Sequence, residues 1–298
     1  MENSIVLIGS VGSSEIVLNN LIDMNLLPDY VFSLNKAYSS NVSDFVDLTE
    51  RAGKENIPTK LFKNINDDEN IDIITKINPD FIFVVGLSQL VSEKLIKAAK
   101  KGVIGYHPTA LPKFRGRAAI PWQILLDVQT AKSTLFFIDK GTDSGDIIDQ
   151  EEYIIHSDDY ADDVMQSSNE ALGRMLKRII PHFKKNSIES RAQNHEDATY
   201  LLKRTPEDGK INWNDSINDI YKLIRASSKP YPGAYSTYKD NKIIFWRAEK
   251  LVNNQYIGIP GQIITANQSY IDVFCKDGIL RITEYEADSR FIVGNKFK

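Results

Sequence analysis

Apolar residues fall into two kinds of run along this chain. Short unbroken stretches at 5–8, 30–33 and 81–85 have the length and the β-branched or aromatic content of buried strands. Elsewhere apolar residues recur at helical intervals, as at Val17, Leu18, Leu21 and Ile22, which mark one face of a helix after the turn Gly9-Ser10-Val11-Gly12-Ser13-Ser14. A helix is predicted over 93–100, with Ser92 as its cap and Gly102 closing it before a strand at 103–106. Strands at 133–138 and 147–155 and a long helix over 161–180 follow. Such alternation predicts an α/β fold: a mostly parallel, Rossmann-like sheet with helices on both faces, whose ligands gather at the carboxyl ends of the strands.

The pattern then changes. Residues 184–199 are polar and read as a connection, and a helix near 217–224 precedes short β-like runs at 235–238, 243–246, 261–265, 271–275 and 280–284. Short strands at that spacing predict a small C-terminal β-rich domain, an OB-like barrel. The expected organisation is a catalytic domain over 1–190, a linker over 191–210 and a small domain over 211–298.

Composition narrows the class. The chain has 298 residues, 42% of them hydrophobic, enough for a substantial core. With 36 basic against 40 acidic side chains the formal charge is −4, so the whole molecule offers no attractive field to a polyanion. The one cysteine, Cys275, lies in a β-like run and reads as a buried thiol in a reducing compartment. The first apolar run lacks a basic leader and is far below membrane-spanning length, so a cytoplasmic protein is expected.

Three loops carry candidate chemistry. The turn after the first strand could hold a phosphate on helix amides, but it lacks the dinucleotide spacing and reads rather as a compact α/β turn. The loop after the strand at 103–106 begins at His107 and carries Thr109, Lys113, Arg115 and Arg117 between Pro108, Pro112 and Gly116, an unusual density for a mere connection. The acidic turn from Asp139 to Asp146 lacks the closing glutamate of a calcium loop, and no metal site is expected. An imidazole and the Asp143 carboxylate from neighbouring strand ends would make an acid/base pair titrating near neutrality.

At these residues a resemblance is plain. His107-Pro108-Thr109-Ala110-Leu111-Pro112 with Phe114-Arg115-Gly116, then Asp143-Ser144-Gly145, resemble the loops of formyltransferases that use 10-formyltetrahydrofolate. Ala198-Thr199-Tyr200, Lys203 to Gly209, Ile211-Asn212-Trp213 and Tyr231-Pro232-Gly233-Ala234 extend it, so the resemblance covers most of the chain and is weakest over 28–75. It implies that a substrate amine attacks the formyl carbon, with His107 stabilising or protonating the resulting oxygen and Asp143 orienting His107 and assisting proton removal. It implies donor contacts at Gly86, Leu87, Ser88, Leu90, Asp139, Gly141 and Thr142, and substrate contacts at Thr109, Lys113, Arg115, Gly116, Lys203 and Arg204. The family normally has an asparagine two residues before its histidine; here Gly105 stands there. Loss of one such donor costs on the order of 10²- to 10³-fold in rate. Gln89, Thr109 or water could replace it, and Gly105→Asn is expected to raise or leave unchanged the rate.

The amine is expected to belong to a nucleotide-linked amino sugar, as in surface-glycan biosynthesis. Methionyl-tRNA is the alternative. From Thr199 onward the chain carries 15 Lys and Arg against 11 Asp and Glu, only a mild excess for a partner held through its phosphates. Lys113, Arg115, Arg117, Trp122, Lys203 and Arg204 could meet a nucleotide sugar, although Trp122 can also be read as core; Trp246 reads as barrel core rather than a base-stacking platform. A third reading, a folate- or nucleotide-sugar-binding protein with impaired catalysis, has Gly105 as its support. The small domain could dock on its own sheet domain or on a second copy in a homodimer.

Overall fold

The computed structural model describes residues 3–87, 89–252, 255–287 and 290–298. The chain forms two compact units: residues 1–119, 130–154 and 166–201 make the first, and 120–129, 155–165 and 202–298 the second.

The first unit is built on β1 (Ile5–Gly9), β2 (Tyr30–Leu34), β3 (Thr59–Phe62), β4 (Phe81–Val85), β5 (Gly102–His107), β7 (Thr130–Phe137) and β8 (Ile147–Ile154), with the two-residue strands β6 (Arg115–Gly116) and β9 (Tyr200–Leu201) apart from them. The seven long strands form one sheet in the order β3-β2-β1-β4-β5-β7-β8. Pairing is parallel from β3 to β5, whereas β5–β7 and β7–β8 are antiparallel. This is the mostly parallel sheet that strand–helix alternation implies.

Alternation along β1 explains the two cores. Ile5 and Leu7 point to one face, where α1 (Gly12–Asp23) supplies Val17, Leu18 and Leu21 and α6 (Ala161–Lys185) supplies Leu172, Met175, Leu176, Ile180 and Phe183. Val6 and Ile8 point to the other, covered by Ile71 and Ile74 of α3 (Asp68–Ile77) and Leu95 of α4 (Glu93–Ala98). Ser92 caps α4 by accepting from the Leu95 N–H at 3.3 Å, as its sequence position predicts. Helix α2 (Thr49–Gly53), β3 and most of α3 lie in the stretch, 28–75, where the family resemblance is weakest. The glycine turn after β1 is compact, and the Asp44 carboxylate accepts from Gly12 N–H at 2.9 Å, so a side chain already occupies the amide a phosphate would use.

In the second unit α7 (Ile217–Ser227) and the sheet β10-β11-β14-β13-β12 share a core around Trp213, Phe245 and Phe297. The strands are β10 (Ala234–Tyr238), β11 (Asn241–Leu251), β12 (Ile263–Ala266), β13 (Ile271–Phe274) and β14 (Ile279–Glu286), all antiparallel. The final residues bond to both edges: Lys298 exchanges backbone hydrogen bonds with Thr237 beside one, and Phe297 and Ile263 bond across to Gly261 and Asn295 beside the other. That bridging, with bulges in β11 and β12, gives the barrel-like form. Cys275 is buried there, and burial pushes its thiol up to about 12, an unreactive state. Among the described residues no helix is long and apolar enough to cross a membrane.

Candidate active site

Helix α5 (Ala119–Leu125) follows the loop that β5 launches. His107 is the last residue of β5 and pairs in register with Thr134 of β7. The strand ends there because Pro108 follows, and the chain turns through a cis Leu111–Pro112 bond to β6. His107 is 7% exposed. Its Nε2 lies 2.7 Å from the Phe114 carbonyl oxygen. A carbonyl can only accept, so Nε2 carries the hydrogen and Nδ1 is the nitrogen that faces Asp143, 3.9 Å from Oδ2. At that separation the pair interacts through space rather than through a hydrogen bond. The same Oδ2 accepts from Gly116 N–H at 2.8 Å, which ties the acidic turn after β7 to the loop after β5.

Asp143 adopts φ +49°, a left-handed conformation available to aspartate at some cost, and it needs outside tethers to stay there. Its own turn supplies one set: Asp139 accepts from Gly141 N–H at 2.9 Å and from the Ser144 hydroxyl at 2.7 Å. Residues 191–201, a linker by sequence, supply another. Strand β9 lies parallel to β6, Phe114 N–H donates to Thr199 Oγ1 at 2.8 Å, and the buried Gln193 side chain donates to the carbonyls of Asp143 at 2.9 Å and Gly145 at 2.6 Å. Only Gln193 in this stretch is buried; Thr199 and Tyr200 bond to the loops from exposed positions. Gln193, Thr199 and Tyr200 are the residues sequence reasoning missed as parts of the site, because no hydrophobic period marks them.

The predicted donor contacts sit on two loops. Gly86, exposed at φ +64°, ends β4; any Cβ there would lie 1.9 Å from Val11 Cγ2, so only glycine fits. Leu87 is half-buried and Leu90 is 85% exposed. Ser88 lies outside the described residues. Asp139, Gly141 and Thr142 form an exposed turn, and a Lys140–Glu93 ion pair of 3.1 Å links it to the start of α4, just after the Gly86 loop.

Three of the expected residues are engaged inside the protein. Thr109 is fully buried and its hydroxyl is held by the Lys113 and Phe114 carbonyls at 3.0 and 3.3 Å. Gln89 is anchored at both ends of its amide, to Ile65 N–H at 2.9 Å and Lys63 carbonyl at 2.7 Å. Arg115 is 1% exposed, with its guanidinium engaged by Gln193, Tyr200 and His195, which makes it internal scaffolding rather than a presented cation. Lys113 and Arg117 are exposed and have no ion-pair partner among the described residues. Gly116 contributes its backbone N–H to Asp143. Lys203 and Arg204 belong to the second unit, where Lys203 is exposed and Arg204 donates to the Asp208 carbonyl at 2.9 Å and lies 5.3 Å from the Trp122 ring centre. Trp246 is 7% exposed, as a core reading requires.

Gly105 and His107 share a face of β5, and Gly105 pairs directly with Phe136 of β7. The Phe136 ring covers the glycine: a Cβ at 105 would meet ring carbons at 2.8 and 2.9 Å and Ile138 Cγ1 at 2.9 Å. An asparagine would therefore not fit without displacing that ring. Tyr106 points the other way, bonded to Ser133 Oγ at 3.0 Å and the Ser168 carbonyl at 3.1 Å, and burial pushes its hydroxyl up to about 12.

A mostly parallel sheet with a histidine and an aspartate on adjacent strand-end loops, followed by a small β-barrel unit, defines a group-transfer class. Family models described as formyl transferase and formyl transferase, C-terminal domain match residues 39–180 and 203–295. The chain is 32% identical over 259 residues to methionyl-tRNA formyltransferase of Clostridium tetani, covering 84% of this chain and 83% of that protein. It is 34% identical over 238 residues to the bifunctional polymyxin resistance protein ArnA of Wigglesworthia glossinidia brevipalpis, covering 80% of this chain but 36% of that longer protein, so it spans about a third of that relative. The structure of the N-formyltransferase from Helicobacter canadensis with folinic acid and dTDP-3-aminofucose shares the fold, with TM-score 0.70, 20% identity, and coverage of 96% of this chain and 100% of that one. The chain belongs to the folate-dependent formyltransferase family.

Proposed function

We propose that this protein is a cytoplasmic enzyme that moves a formyl group from 10-formyltetrahydrofolate to the amine of a nucleotide-linked amino sugar. The observation that carries the transfer is the pairing of His107 with Asp143 across 3.9 Å at adjacent strand ends. Exposed glycines at 86 and 141, with the exposed apolar Leu90 four residues after Gly86, suit a flat heterocycle with polar edges, so these residues fit the pterin of the donor. The donor supplies an activated formyl carbon when bound. As the amine's new C–N bond forms, charge grows on the formyl oxygen and a proton must leave the nitrogen. His107 turns its Nε2–H from the Phe114 carbonyl to that oxygen. Asp143, 3.9 Å from Nδ1, accepts the amine's proton, which passes to the departing folate nitrogen as the old C–N bond breaks.

Two observations favour other readings. The Clostridium tetani relative supports methionyl-tRNA as acceptor, against which stands the mild charge of the second half. The ring over Gly105 supports a binding protein with impaired transfer. One assay separates all three: purified protein with 10-formyltetrahydrofolate and, in parallel, amino-deoxy nucleotide sugars or charged initiator tRNA, followed by tetrahydrofolate release. Release with a sugar is expected. Release with tRNA alone overturns the sugar reading, and donor binding without release from any amine supports the third.

A further inference from the structure

We infer that Arg115 and Gln193 form a buried brace that sets Asp143 against His107, making them positioning residues for the transfer proposed above, on which this inference rests. Every hydrogen-bonding capacity of the Gln193 amide is used in one direction. Its oxygen accepts from Arg115 Nε at 3.2 Å and Nη2 at 2.6 Å, and its nitrogen donates to the Asp143 and Gly145 carbonyls. An amide does both, with two acceptor lone pairs and two N–H donors, whereas a carboxylate cannot donate and an ammonium cannot accept. Both residues are buried, Arg115 at 1% and Gln193 at 5% exposure, so neither is satisfied by solvent instead.

The guanidinium extends the brace. Nη1 donates to the Tyr200 hydroxyl at 3.1 Å and Nη2 lies 3.1 Å from His195 Nδ1, while the Arg115 and Arg117 N–H groups bond to the Thr199 and Leu201 carbonyls. Among the described residues Arg115 has no acidic ion-pair partner, so a buried cation is retained on neutral acceptors alone. Such an arrangement is expensive for mere loop closure. Its effect is geometric: the residue after Arg115, Gly116, donates to Asp143 Oδ2, so one brace fixes the aspartate's carboxylate through Gly116 and its left-handed backbone through Gln193. With the pair already at 3.9 Å, release of either tether lets the carboxylate drift out of range of Nδ1.

Gln193→Glu tests this in the full-length protein. It keeps the size of the side chain and offers Arg115 an ion pair, but loses both donations to the acidic turn. We expect kcat to fall about ten- to a hundred-fold, as a misplacement near 1 Å does, with the donor KM within about two-fold of wild type. In an Asp143→Ala background the same substitution is expected to change the remaining rate less than two-fold or so, because its target is gone. An independent readout is the ring ¹⁵N resonances of His107, assigned by their absence in His107→Gln: Gln193→Glu is expected to displace them toward their positions in Asp143→Ala. Wild-type kcat together with unmoved ring resonances overturns the brace, as does an equal rate loss with and without Asp143. If wild type releases no tetrahydrofolate with any amine, the functional reading fails, and the ring resonances still decide the brace. Should Gln193→Glu not fold, Gln193→Asn, too short to span guanidinium and turn together, carries the same two readouts.

Discussion

Placing an asparagine at position 105 tests whether the Phe136 ring or an empty space lies beside the imidazole. Carbon atoms in contact settle about 3.5–4.0 Å apart. A Cβ at 105 would stand 2.8 Å from the tip of Phe136, and 2.9 Å from both its neighbouring ring carbon and Ile138 Cγ1. Phe136 is 3% exposed and packed with Leu111 and Ile147, at 3% and 1%, so moving the ring disturbs buried packing. Overpacking of this kind costs about 1–3 kcal/mol, and for units of this size each kcal/mol lowers Tm by about 2–4 °C. Gly105→Ala should therefore lose several degrees and Gly105→Asn more, with no gain in formyl-transfer rate, contrary to what sequence comparison alone suggests.

Shortening the ring supplies the control. In a Phe136→Leu background the two ring carbons are gone, and of the three nearest atoms only Ile138 Cγ1 remains. Gly105→Asn should then cost at least about 1 kcal/mol less than in wild type, a coupling read from a double-mutant cycle in denaturant unfolding. The amide would also gain access to the face that carries His107. If it recovers part of the on-the-order-of 10²- to 10³-fold worth of an oxyanion donor, the double variant outpaces both single ones. Additivity within about 0.5 kcal/mol, or a single Gly105→Asn variant that is stable and fast, would refute the idea that the ring fills this position.

Other expectations follow from the same geometry. His107→Ala and Asp143→Ala should each lower transfer by about 10²-fold or more with unfolding curves near wild type, and a wild-type-like rate in either removes that residue from the mechanism. Tyr106→Phe should cost about 1 kcal/mol and leave the rate alone, because Ser133 still donates to the Ser168 carbonyl and the hydroxyl faces away from His107; a large rate loss contradicts this. Asp44 has its carboxyl raised above 3.8 by burial, only partly offset by the Gly12 N–H. A raised acid destabilises the fold in its charged form, at pH above its own range, and that penalty disappears as falling pH protonates it. Asp44→Asn, still able to accept from Gly12, should thus raise Tm at pH 7, with the gain shrinking as pH falls toward that range; a constant gain across pH would count against burial as the cause.

The parts of this fold that can be read from the chain are those in which apolar side chains are buried. Strand runs such as 81–85 and the single apolar side of α6 announce themselves because burial on one face imposes a period. His107 and Asp143 are legible for a related reason: each follows a recognisable strand, and residue type does the rest. Residues 191–201 are not, because what ties them to the site is hydrogen bonding to partners 48 to 85 positions away, and polar spacing carries no such period. The one-residue and two-residue pairings there, Arg191 with Ile147 and β6 with β9, are too short to leave any pattern.

Gly105 marks a different limit. Sequence records an absent side chain, and absence reads as room. Whether the room exists depends on which residue the neighbouring strand sets opposite, and that is fixed by an antiparallel register between β5 and β7 that neither strand reveals alone. The register puts Thr134 opposite His107 and an aromatic ring opposite Gly105, so one edge of the candidate site is apolar where the family has an amide. Since Thr109 and Gln89 are both engaged elsewhere, the proposed mechanism would load more of the charge stabilisation on the imidazole N–H than it would beside a second donor. That concentrates the chemistry on the orientation of one ring, and it gives the fixing of Asp143 against Nδ1 a larger share of the rate.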